Sequence, residues 1–144
     1  MAIGARMVIH NARQAIADLI GSVLAVDPSL PFVPSKLTAG SAFIRPARGT
    51  PFVSFEQGSF TRPTLALAAV VVSGTADWQN AAEWLDSAVE TIVLAALDGP
   101  ELAGISSPLV VTEVAEPGLV DTSTGVFLAI EVRFAPIFLK ELRK

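Results

Sequence analysis

Six of the ten prolines of this 144-residue chain lie between Pro28 and Pro63, interleaved with Gly40, Gly49 and Gly58. Proline removes a backbone donor and forces its predecessor out of the helical region, so no long helix fits there. The apolar stretches in between, Ser41–Arg45 and Pro51–Phe55, have room only for brief strands or extended arms. The connection Pro46–Pro51 reads as a hairpin or an exposed finger, so residues 28–63 are expected to form an extended, Pro-rich hairpin segment.

Regular structure must therefore sit on either side. From Val8 to Leu24 apolar residues recur at helical spacing, with Asn11, Arg13, Asp18 and Ser22 between them, which predicts an amphipathic helix ending before Asp27-Pro28. Pro63–Val72 is a β-branched and aliphatic run closed by Gly74, the pattern of a central strand covered on both faces. A second helix begins after Asp77, a good capping residue, and stops at Gly99-Pro100. Its apolar stripe runs through Trp78, Ala81, Ala82, Leu85, Val89, Ile92, Val93 and Ala96. Leu109–Ala115 and Gly125–Ala135 read as an antiparallel pair joined by the turn-rich residues 116–124. In the second of these Val126, Leu128, Ile130, Val132 and Phe134 are assigned to the core face. The sum is a single α+β domain over residues 1–144: a mostly antiparallel sheet of about four strands packed against two helices.

Composition bears on what such a domain does. Charged residues are 17% against 51% apolar, and a chain this small has little interior in which to hide the excess, which points to a surface covered by another subunit. Charge is also segregated: residues 1–63 carry six basic and three acidic residues, net +3, and residues 64–144 carry four and eleven, net −7. Unlike halves suit head-to-tail association and do not suit sequence-specific DNA binding, which needs a dense basic face. The longest apolar run is far short of a membrane span, the N-terminal residues lack a secretory signal, and synthesis in the cytoplasm is the expectation.

The absence of cysteine excludes disulfides, thiolate metal sites and a cysteine nucleophile. No nucleophile elbow, phosphate-binding loop, dinucleotide fingerprint or zinc-protease motif occurs, and the one histidine, His10, has no evident partner for acid–base work. No catalytic residue, cofactor or metal is assigned. Glu83, Asp86 and Glu90 share the polar face of the second helix: a solvated face, a weak cation site, or partners for Arg45, Arg48 and Arg62 of a neighbouring subunit. Trp78 is read as core and Trp84 as a partner contact. Glu131 and Arg133, with Glu113 opposite, form either cross-strand ion pairs or the polar lining of a channel.

Taken together, Ala12–Leu19, the Pro-rich stretch, Pro63–Val72, Ala81–Glu90 and Gly125–Phe134 resemble, in order and size, the tail terminator proteins of long-tailed bacteriophages. The resemblance implies a non-enzymatic virion protein. Its subunits form a ring, six-membered by that likeness, on the head-proximal end of a finished tail tube, stop its polymerisation, and offer a docking surface to the head. The implied partners are further copies of itself, the tail tube protein and a head-completion or neck protein, with DNA passing non-specifically through a lumen that Glu113 and Glu131 would line. Another head–tail joining protein, or a small-ligand-binding domain, is the alternative.

Overall fold

The computed structural model describes residues 8–49, 51–55, 63–98 and 109–138. Helix α1 (Val8–Leu24) is followed by strands β1 (Ser29–Leu30), β2 (Ala42–Pro46), β3 (Val53–Phe55), β4 (Pro63–Leu65) and β5 (Leu67–Val72). Helix α2 (Trp78–Asp98) then leads to β6 (Val111–Val114), β7 (Gly118–Thr122), β8 (Gly125–Phe134) and β9 (Ile137–Phe138). The fold is α+β. One sheet has the order β1-β2-β5-β8-β6, with β7 also paired to β8, and only the β1–β2 pairing is parallel. A second sheet has the order β3-β4-β9. The six strands of the larger sheet exceed the expected four and the second sheet adds three, because several strands are only two or three residues long and leave no periodic signal.

The two helices pack side by side on one face of the larger sheet, α1 over β1 and β2 and α2 over β8 and β6. Between them lies the main core, where Ile16, Ile20, Ile44, Leu65, Leu67, Val71, Leu85, Val132 and Ile137 are fully buried. β5 is central, as its aliphatic run predicts, with every residue buried. The run is not one strand, however. It is interrupted at Ala66, and the first part, β4, belongs to the second sheet. Residues on the far side of the larger sheet, Phe43, Val70, Val72 and Ala129, form a smaller cluster under Leu30, Leu37, Val120 and Phe127.

Two local expectations need correction. The Pro-rich segment does hold an antiparallel pair, but Val53–Phe55 pairs with Pro63–Leu65 and not with Ala42–Pro46, so Pro46–Pro51 crosses between sheets. Residues 116–124 are not merely a connection. Gly118–Thr122 forms β7, in register with Gly125–Ala129, and the turn is closed by the Thr122 hydroxyl, which donates to the Gly125 carbonyl at 2.8 Å, with Gly125 at a φ of 138°. Pro117 and Gly118 masked a strand that needs only cross-strand pairing to form. Helix α1 ends at Leu24, as its apolar spacing predicts, and Ala25 takes the left-handed conformation (φ 54°) that ends a helix more cheaply at glycine.

Candidate functional site

The sheet face turned away from the helices carries a polar ladder. Register places Arg45 on β2, Ala68 on β5, Arg133 on β8 and Glu113 on β6 in one row, with Glu131 two residues along β8. Ala68 is small enough for the long arginine side chains to lie over it, and it is fully buried beneath them. Arg133 donates from Nε to Glu131 at 2.9 Å and from Nη1 to Glu113 at 3.0 Å, and the Arg45 Nε lies 3.6 Å from the other Glu131 oxygen. Hydrogen bonds to Glu131 first, then Glu113, hold the Arg133 guanidinium charged above its ordinary range. Glu131 is the ladder's centre: its side chain is only 13% exposed, against 62% for Glu113.

Cross-strand pairing of Glu113, Glu131 and Arg133 is therefore present, and it recruits Arg45. Two carboxylates meet two guanidiniums, so this face is charge-compensated and not acidic. Beside the ladder a concavity of about 350 Å³ is lined by Arg45, Arg48, Glu116, Leu119, Val120 and Glu131, with Arg48 exposed at its rim. Arg62 lies outside the described residues.

On α2 the sequence assignments separate. Glu83, Asp86 and Glu90 are exposed, with Glu83 accepting a hydrogen bond from the Gln79 amide at 3.4 Å. Among the described residues no group of three or more His, Asp or Glu side chains is arranged to hold a metal ion. Trp78, read as core, is instead 61% exposed, and Trp84 is half-buried against the main core. The buried stripe begins only at Ala81, because Trp78 is the first residue of the helix. Asp77 stands at the cap position, its carbonyl accepting the Ala81 N–H at 2.8 Å.

Trp84 also walls a second concavity of about 390 Å³, between the end of α1 and the start of α2. Leu24, Ala25 and Val26 form one side, Asn80 and Trp84 the other, and Gly40, Ser73, Gly74 and Thr75 the floor. Gly40 makes that floor possible: its φ is 71°, its N–H donates to Ser73, and a side chain on it would point at the Gly74 Cα.

One cluster was not legible in the sequence. Arg13, assigned to the polar side of α1, is 8% exposed, with its guanidinium carbon 4.6 Å above the Phe32 ring and 4.8 Å above that of Phe52. Its Nη1 donates to the Pro31 carbonyl at 3.1 Å, and burial pulls its pKa below the ordinary value. His10, one turn earlier, stacks on Phe32 with centroids 5.7 Å apart. The stack ties the Pro-rich segment to α1 through residues 18 and more positions apart, which no local pattern reports.

No protein-family model matches the chain, and no curated protein is significantly similar to it.

Proposed function

We propose that this protein is a self-assembling structural subunit that caps the end of a bacteriophage tail tube, as the resemblance of its element order to tail terminators implies. The observation that supports this best is the β7–β8 hairpin. β5 accompanies β8 only as far as Leu128, so among the described residues β7 is the one strand paired with β8 from Phe127 to Gly125, and Leu119 and Val126 on this arm are about half exposed. A two-stranded arm is marginal by itself, and exposed large apolar side chains on it are a surface suited to another chain. Phe32 and Val33, beyond β1 at the opposite edge of the sheet, are exposed in the same way.

A subunit with apolar contact surfaces at two unlike edges is suited to head-to-tail rings, in which each copy presents one edge and receives the other. In this role the polar ladder of Arg45, Glu131, Arg133 and Glu113 fixes a rigid, charge-balanced sheet face. The test is tube elongation. With the protein added in stoichiometric excess over tube ends, polymerising tail tube protein should stop at short lengths, whereas elongation at the unchanged rate would reject the capping role and favour a neck component.

A further inference from the structure

We propose that the concavity walled by Trp84 receives the C-terminal segment of a second copy, residues 139–144. This deepens the proposed self-assembly and rests on that reading. The groove is mostly apolar, with Leu24, Val26 and Trp84 on its walls and no charged residue in its lining, and the charged residues next in sequence to that lining are acidic and exposed: Asp27 follows Val26, Asp77 lies between Thr75 and Asn80, and Glu83 adjoins Trp84. No lysine or arginine occurs in residues 14–35 or 64–132, the stretches that supply both helical walls and most of the floor. The matching occupant pairs apolar side chains with basic ones. Leu139-Lys-Glu-Leu-Arg-Lys144 does so, with two leucines, three bases and one acid in six residues.

Geometry makes the contact intermolecular. Thr64 pairs with Phe138, and Ser73 of the groove floor lies nine residues further along β4 and β5. At about 3.3 Å per residue that is roughly 30 Å, and even a right-angled bend at Ala66 leaves about 24 Å. Leu142, four residues past Phe138, reaches about 14 Å at full extension, and the whole segment about 20 Å. Leu142 therefore does not reach Ser73 of its own groove floor. With donor and receptor at different ends of the molecule, the contact is heterologous and passes from copy to copy.

The test uses the full-length chain, a chain ending at Phe138, and Asn80→Lys, which sets a positive charge in the groove at an exposed position. Masses are read by light scattering, with circular dichroism to confirm folding. The full-length chain should assemble, while each variant alone should be monomeric. A one-to-one mixture of the two variants should give dimers, since it holds one intact tail and one intact groove. Full-length Lys140→Glu with Arg143→Glu serves as a second tail variant, expected to weaken assembly at least about tenfold. A full-length chain that stays monomeric, a truncated chain that assembles normally, or a mixture that stays monomeric overturns the proposal. Capping is read separately. A truncated chain that assembles and still stops tube growth overturns only the tail contact, and tubes that keep growing beside tail-linked full-length assemblies overturn only the capping role.

Discussion

Replacing Arg13 tests whether a buried arginine is held by its stem and its flat faces or by its charge. Arg13→Ala removes two methylenes, about 1.6 kcal/mol at ~0.8 each, and two cation–π contacts worth about 1 kcal/mol apiece. It also removes the hydrogen bond to the Pro31 carbonyl, about 1 kcal/mol, and returns roughly 1–2 kcal/mol because no charge is desolvated any longer. The net loss is about 3 kcal/mol. Arg13→Met keeps the stem, offers Phe32 and Phe52 a sulfur contact and avoids the desolvation, so it should cost about 1 kcal/mol or less. Arg13→Lys keeps the charge but loses the planar stack, and should fall between them at about 1–2 kcal/mol. Urea denaturation with a common m-value gives the three figures, and melting should track them at roughly 3 °C per kcal/mol. Methionine proving as damaging as alanine would refute the reasoning, since charge would then be the stabilising element.

Other outcomes follow from the same physics. Ala25→Gly should raise stability by about 0.5–1 kcal/mol in urea melts, because the left-handed φ of 54° strains any Cβ; a loss would show that Ala25 packing dominates. Glu131→Gln should lower the melting temperature more than Glu113→Gln, since Glu131 is enclosed by two arginines and Glu113 is largely exposed; equal effects would contradict the ladder's order. Trp78→Phe should leave stability within about 0.5 kcal/mol and remove the red-shifted part of the fluorescence, whereas Trp84→Ala should cost about 2 kcal/mol or more. The stabilising share of Arg133 should be independent of pH across the physiological range. Its folded pKa is raised, so that share is fully present below the unfolded value and is lost only as pH rises through the folded one. A drop between pH 6 and 9 that disappears in Arg133→Met would contradict this.

What the sequence made legible was periodic. The helix over Val8–Leu24, the buried strand at Leu67–Val72 and the core face of β8 at Ile130, Val132 and Phe134 all follow from repeated apolar spacing over several turns or residues. The Glu113–Arg133 pair followed too, because one antiparallel pairing fixes which side chains stand opposite. The rest depends on distant partners. β7 exists because Gly125 closes a turn onto it, β4 departs from β5 because β3 and β9 are there to pair with it, and Arg13 is buried because Phe32 and Phe52 arrive from the Pro-rich segment. Trp78 was misassigned by extending the α2 stripe one step past the point where the sheet still lies beneath it. The groove at Trp84 is likewise a product of packing, built from three segments whose sequences share no motif.

Electron microscopy of the purified protein mixed with polymerising tail tube protein tests the proposed capping role most directly. The account predicts closed rings, six subunits around by the resemblance to tail terminators, seated on tube ends that no longer grow. Monomers in the background with bare, elongating tube ends would contradict it.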